Sequence, residues 1–439
     1  MPEKKNPPKR YRLDVSSQFY PIMSTKKAQS LFRVVAVLDS PVNPVLLQQA
    51  VRASLERYPT FKVRLKRGYA WFFFEENDGE FFVRPSDGRL LRPITSEENN
   101  GYLFRVCYED RKVEMEVFHA VSDGLGAVEF LKDVLCRYAL LCGRDLPQNL
   151  LDALAAKPVE EEAEDAFYRY YRPIKFGEIN LKGLMGDKPL LLEGTKSETG
   201  YLSSGGEIGT ASAVECARAK GTTFTALMCG AMAYAVAKVS RNARRRDIVM
   251  MVPVNLRKMF PSVTMRNFVN FVRLVFKHNA CETVEDYIAE AARQLREKAT
   301  KEEMEKFFST TVRTEKSLPL RMAPLWFKIA AARFFRIFLK SRQTVIFSNM
   351  GKIDIPAACG VESIRFNLNV SKNSKVNAGA IAVNGVTSIS FTRYVKERKL
   401  EEAFFLTLEN LGIYRTARFG DTGERKASAA GTACAGVPV

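Results

Sequence analysis

Strand patterns and helix patterns alternate along this chain, first in one half and then in the other, and that alternation restricts it to a mixed α/β architecture. Leu31 to Leu38 is a continuous Val-rich apolar run of strand length. Asn43-Pro44 then supplies an N-cap and a proline at the first helical position. Leu46, Leu47, Ala50, Val51 and Leu55 recur at helical spacing until Pro59 stops the pattern. Phe61 to Leu65 and Tyr69 to Phe74 read as a hairpin around Gly68. Leu103 to Tyr108 and Lys112 to Phe118 read as another, turning at Glu109-Asp110-Arg111. In its second arm Val113, Met115 and Val117 alternate with Glu114 and Glu116, which puts His119 in phase with the inward face. Gly124 to Leu141 is an amphipathic helix.

The character changes over residues 152 to 206. An acidic run from Glu160 to Asp165 meets a Tyr/Arg cluster from Tyr168 to Arg172, followed by Gly-rich segments, the composition of a crossing between lobes. Beyond it the alternation resumes. Thr222 to Ser240 is an Ala-rich, almost wholly apolar helix, fit for burial. Asp247 to Val254 and Asn270 to Phe276 are strands, Val284 to Lys301 an amphipathic helix, Gly379 to Arg393 a hairpin turning at Asn384-Gly385, and Glu401 to Tyr414 a closing helix. At 439 residues the chain exceeds the size that one core usually serves. The expected organisation is a basic tail over 1–15, a first lobe over 16–175, the crossing over 176–206, a second lobe over 207–418 and a disordered tail over 419–439.

Composition narrows the function classes. With 46% hydrophobic and 26% charged residues, and no apolar run near the ~18 residues of a membrane span, the chain reads as a soluble globular protein. The basic N-terminus lacks the apolar core of a signal peptide. Eight cysteines are scattered, Cys136, Cys216 and Cys229 among them in apolar helical settings, and none form a C-x-x-C pair. That usage predicts reduced thiols in the cytoplasm, with no disulfide framework and no metal site. The net charge of +18 admits nucleic acid, an anionic membrane or an anionic small molecule as partners. No nucleic-acid module signature is present, so nucleic acid is set aside, and much of the excess is scattered singly over helices as ordinary solvated surface.

The chain holds only two histidines, and His119 opens His119-Ala120-Val121-Ser122-Asp123-Gly124, an H-x-x-x-D-G run between a strand and a helix. A histidine at a strand end is held rigidly and moves protons near neutral pH. The following Asp-Gly permits a sharp turn into the helix, Gly taking backbone angles that other residues resist. Asp123 is placed to orient the imidazole or to pair with an arginine. The plain alternative is a satisfied core histidine before an unremarkable turn, and on the motif alone the two stand level.

Further segments shift that balance. Leu55 to Leu65, Val252-Pro253-Val254-Asn255-Leu256-Arg257 with Arg266-Asn267-Phe268, and Phe347-Ser348-Asn349-Met350-Gly351-Lys352-Ile353 with Pro356 accompany the motif in order. Together, from about residue 16 to 415, the chain resembles the condensation-domain and chloramphenicol-acetyltransferase-like superfamily of CoA-dependent acyltransferases, in its alcohol acetyltransferase branch. The resemblance implies two lobes, each a mixed sheet flanked by helices, with a substrate tunnel between them. It implies acyl-CoA, typically acetyl-CoA, as co-substrate and no permanently bound cofactor. His119 would be the general base for an alcohol or amine acceptor, without a covalent enzyme intermediate. Asp123, Gly124 and Arg257 would support the site, with Arg257 the candidate partner of Asp123. Phe118, Ser348, Asn349 and Gly351 would line the tunnel.

The chain departs from the family pattern at Phe118, where the family carries a first histidine that is not the proton acceptor. The Asp-Phe-Gly-Trp-Gly element of peptide-forming condensation domains is absent. Esterase, zincin and nucleotide-binding motifs are missing. His278 reads as a surface turn residue. The stretch from Leu320 to Arg342, with Lys328, Arg333, Arg336 and Lys340, is compatible with a packed helix with a basic outer edge, with weak contact to an anionic membrane, or with guidance of CoA phosphates. The packed helix is the favoured reading. The leading expectation is a monomeric alcohol O-acetyltransferase. The alternatives are a carrier-protein-dependent acyltransferase acting on a lipid, sugar or polyketide acceptor, and a binding protein that kept the fold without the activity.

Overall fold

Fifteen strands among the described residues assemble into three sheets. The computed structural model describes residues 8–25, 28–174, 189–338, 343–372 and 374–422. In chain order the strands are β1 (Arg10–Arg12), β2 (Leu31–Leu38), β3 (Val63–Arg67), β4 (Phe72–Glu76), β5 (Arg84–Pro85), β6 (Phe104–Glu109), β7 (Lys112–Phe118) and β8 (Leu202–Gly209). They continue with β9 (Ile248–Asn255), β10 (Val269–Phe276), β11 (Val345–Lys352), β12 (Val361–Asn367), β13 (Val376–Val383), β14 (Val386–Arg393) and β15 (Arg415–Thr422). The helices are α1 (Phe19–Met23), α2 (Pro44–Arg57), α3 (Gly124–Leu141), α4 (Gln148–Ala155), α5 (Ala166–Arg169) and α6 (Thr210–Ala219). After them come α7 (Phe224–Val239), α8 (Val284–Lys298), α9 (Lys301–Lys316), α10 (Leu318–Met322), α11 (Leu325–Phe338) and α12 (Lys399–Asn410).

The first lobe is a five-stranded sheet in the order β12-β2-β7-β6-β5, covered by α2 and α3. The second is a seven-stranded sheet in the order β10-β9-β11-β13-β14-β8-β15, packed on α7, α8 and α12. A three-stranded sheet, β1-β4-β3, sits beside the first lobe. This is a mixed α/β fold of sheets flanked by helices. The local reasons are those written in the sequence. The Asn43 side chain accepts from the Val45 and Leu46 amides at 3.0 and 3.3 Å, capping α2, whose Leu47, Ala50, Val51 and Leu55 are buried. Asn384 and Gly385 take φ values of 49° and 80°, which lets β13 turn directly into β14. The apolar α7 is sequestered in the second core, and among the described residues no single helix is long and apolar enough to cross a membrane.

Three segments differ from their sequence expectation. Arg10–Arg12 is not tail but strand, pairing with Arg12↔Phe73 to Arg10↔Glu75, and Asp14 behind it is fully buried. The crossing ends earlier than 206, because β8 begins at Leu202; residues 175–188 lie outside the described residues. The expected disordered tail from 419 begins instead as the end of β15, paired with β8, and 423–439 lie outside the described residues. One connection reaches across the lobes. β12 follows β11 of the second lobe in sequence yet pairs antiparallel with β2 of the first. Near it, Cys136 on α3 and Cys359 are free buried thiols with their sulfurs 3.3 Å apart.

α3 packs tightly against the loop joining β9 and β10 at Gly126. A Cβ there would lie 2.3 Å from both the Met265 carbonyl oxygen and Ser122 Oγ. Alanine is the better helix former, but it cannot fit without moving backbone. Gly126→Ala is therefore expected to destabilise the fold by about 1–3 kcal/mol, read as a lower urea midpoint at unchanged slope. An unchanged midpoint would contradict this packing.

Candidate active site

β7 ends at Phe118, and the next residue, His119, stands where the first lobe faces the second. Its amide donates to the Ser30 carbonyl at 2.9 Å, which fixes the backbone beside β2. The half-buried ring lies between Tyr20, stacked on it with centroids 4.5 Å apart, and Phe32, edge-on at 5.1 Å. Its Nδ1 lies 2.9 Å from Asn267 Oδ1. The Asn267 amide nitrogen donates to the His119 carbonyl at 2.8 Å and to Ser17 Oγ at 2.9 Å, so its oxygen is the atom turned to the imidazole. An acceptor at Nδ1 places the ring proton there and leaves Nε2 with a free lone pair. Ser17 in turn donates to the buried Asp14 carboxylate, extending the chain of hydrogen bonds. Burial pushes the His119 pKa below its ordinary value, against the opposing pull of the Asp123 charge and its hydrogen bonds. The imidazole is neutral at neutral pH.

Asp123 does not touch the imidazole. It is the N-cap of α3, accepting from the Gly126 amide at 3.0 Å. Its other contacts cross the lobes: Arg257 Nη1 at 2.7 Å and Nη2 at 3.2 Å, and the Phe268 amide at 2.8 Å. Arg257 also donates to the Thr264 and Arg266 carbonyls at 2.9 and 2.7 Å. The expected pair is thus brought together as a bidentate ion pair that ties the start of α3 to the loop joining β9 and β10. Gly124 has no positive φ, contrary to its reading as a turn residue; a Cβ there would meet the flexible end of Met350 at 2.9 Å and the Phe366 ring at 3.3 Å, with no backbone atom among them. The demanding glycine is Gly126, two residues on.

A cavity of about 900 Å³ opens between the lobes with His119 on its wall. Ser348, Asn349 and Gly351, at the end of β11, line it as expected from their position at a strand end. Asn349 is engaged by the protein: its Oδ1 accepts from the Gly351 amide at 2.9 Å and its amide donates to Thr225 Oγ1 at 3.0 Å. It holds the bulged end of β11 against α7. Phe118 is a correction. Its ring packs with Leu13, Leu31 and Leu91 in a separate core, because alternation along β7 turns it away from the cavity that His119 faces. Lys328 is another: its ammonium sits 3.4 Å from the Trp71 ring centre and donates to the Ala70 carbonyl at 2.6 Å, buried away from the cavity. The side chain of Arg336, and Lys340 altogether, lie outside the described residues. Among the described residues, the lysine and arginine on the cavity wall are instead Lys258 and Arg296. His278 is half-exposed at a turn, its Nδ1 2.9 Å from Asp247. Among the described residues no cluster of three or more His, Cys, Asp or Glu is placed to hold a metal ion.

Sequence reasoning did not single out Tyr20 or Asn267 for the site. Asn267 stood inside the quoted Arg266-Asn267-Phe268, but its partner is 148 residues away, and nothing local marks it.

Comparison with known structures agrees with this architecture. The trichothecene 15-O-acetyltransferase of Fusarium sporotrichioides superposes with a TM-score of 0.58 at 10% identity, covering 92% of this chain and 94% of that one. Polyketide synthase associated protein 5 from Mycobacterium tuberculosis gives 0.54 at 15% identity, over 85% and 92%. The chain has the fold of the condensation-domain and chloramphenicol-acetyltransferase-like acyltransferase superfamily. The starter condensation domain of rhizomide synthetase, in complex with C8-CoA and Leu-SNAC, shares that fold at a TM-score of 0.54 and 13% identity, over 92% of each chain. Residues 207–301 match the family model of the phthiocerol/phthiodiolone dimycocerosyl transferase C-terminus, a span that carries both Arg257 and Asn267. No curated protein matches the chain by sequence.

Proposed function

We propose that this protein transfers an acyl group from a CoA thioester to a hydroxyl, with His119 as general base. One observation carries the reading. The imidazole is held at Nδ1 by Asn267 and stacked by Tyr20, and it stands on the wall of the inter-lobe cavity with Nε2 engaged by no side chain among the described residues. Nε2 takes the proton of the acceptor hydroxyl as its oxygen attacks the thioester carbonyl. The tetrahedral intermediate collapses with departure of the CoA thiolate, which receives the proton back from the imidazolium. An ester and free CoA result, and no enzyme atom becomes acylated. The Asp123–Arg257 pair acts at a distance, fixing the lobes so that base and substrates meet.

The acyl donor reading draws on the C8-CoA complex of the rhizomide synthetase domain, and the hydroxyl acceptor on the 15-O-acetyltransferase. The direct test is incubation with acetyl-CoA and longer acyl-CoAs against mixed alcohols and amines, following thiol release and product masses. Absence of transfer by a protein that binds CoA would reject the activity. Failure to bind free CoA, with turnover on a carrier-bound thioester, would reassign the donor.

The protonation state gives a second expected result. Because burial depresses the His119 pKa, the acid limb of kcat/KM is expected below the ordinary histidine value of about 6.5. Tyr20→Ala opens the ring to water and should move that limb upward. A wild-type limb above pH 7 would show that another group controls the rate.

A further inference from the structure

The helical pair α10–α11 presents large apolar side chains to solvent. Leu318, Met322 and Trp326 are 70%, 68% and 70% exposed, and Phe327 is 53% exposed. The β3–β4 hairpin adds Tyr69, 78% exposed, whose carbonyl accepts from the Leu325 amide at 2.7 Å and so fixes the hairpin tip beside the start of α11. The opposite face of α11 is committed to the fold: Leu325, Lys328 and Ile329 pack on the small sheet. The outward aromatic and aliphatic groups are therefore not a misplaced core stripe. Such clustering on one surface marks an interaction site rather than ordinary scatter.

Along the sequence the charges of this segment are of one sign. No acidic residue occurs from Lys316 to Gly351, while Lys316, Arg321, Lys328, Arg333, Arg336, Lys340 and Arg342 fall in its first part. Arg321 and Arg333 are exposed on these helices, and Arg67 on the hairpin. Outward Trp, Phe, Leu and Met amid unbalanced arginines is the chemistry of a helix lying in a bilayer interface, apolar groups entering the acyl boundary and cations meeting anionic headgroups. We propose that α10, α11 and the β3–β4 tip dock this protein on an anionic lipid surface. The site lies close by in the fold: α1 packs on α11, and its Tyr20 stacks on His119. Docking thus brings the Tyr20 side of the cavity toward the bilayer.

The test reads binding alone and stands apart from the acyl-transfer assignment. The full-length protein is sedimented with phosphatidylcholine vesicles, with and without phosphatidylglycerol. The expected result is binding about tenfold or more tighter to the anionic vesicles, weakening as salt rises. It should come with a blue shift of tryptophan emission that Trp326→Phe removes, the chain having only two tryptophans. Trp326→Ser with Phe327→Ser should abolish binding, and Arg321→Glu with Arg333→Glu should abolish the preference for anionic lipid, each with an unchanged melting temperature. A wild type that stays in the supernatant would overturn the proposal, as would vesicle binding equal in both variants. Protection of Trp326 from an aqueous quencher by an acidic carrier protein but not by vesicles would give the face to a protein partner instead.

Discussion

Replacing His119 with alanine should lower kcat by at least about a hundredfold, while leaving CoA affinity and the unfolding transition close to wild type. General-base catalysis typically contributes roughly 10²–10⁴-fold, and the proposed base is a half-buried imidazole with its pKa lowered and its proton held on Nδ1 by Asn267. Steady-state kinetics with a thiol-release assay, alongside CoA titration, separates loss of chemistry from loss of binding. Near-normal turnover in a folded His119→Ala protein would remove His119 from the mechanism. Asn267→Leu should act in the same direction but less strongly, because the ring stays in place under Tyr20 while its tautomer is no longer imposed.

Breaking the lobe-to-lobe ion pair should be the most damaging change to stability. Asp123 is almost fully buried and accepts from Arg257, from the Phe268 amide and from the first turn of α3, so removing one partner strands the others. Loss of one member of such a buried pair costs about 3–5 kcal/mol. Asp123→Asn and Arg257→Ala are each expected to lower the unfolding midpoint and activity together. Combined, they should be strongly non-additive, with a coupling of about 0.5–3 kcal/mol in a double-mutant cycle. Strict additivity would show that the 2.7 Å contact contributes no coupling in solution.

Much of the fold was legible from local pattern. The Val-rich run of β2, the Asn43-Pro44 start of α2, the hairpin arms of β6 and β7 and the α3 helix after Asp123 all rest on signals within a few residues of each other. His119, Asp123 and Gly124 were found by their spacing, and Arg257 by the family segment that carries it. Phe118 shows the limit of spacing read without alternation: one residue before His119 in the chain, it belongs to a different core.

What the sequence alone determined, then, is which stretches form strands and helices and where a histidine, an aspartate and a turn coincide, because caps, periodicity and turn residues act over one or two helical turns. The tertiary structure decided the rest. It carried β12 across to β2, placed Asn267 on the imidazole from 148 residues away, closed Arg257 on Asp123 from 134 residues away, and made Gly126 rather than Gly124 the position with no room for a side chain. It also turned Lys328 inward onto Trp71 while leaving Trp326 outward. These are matters of which surfaces meet, set by how two cores pack against each other, and no local period along the chain encodes them.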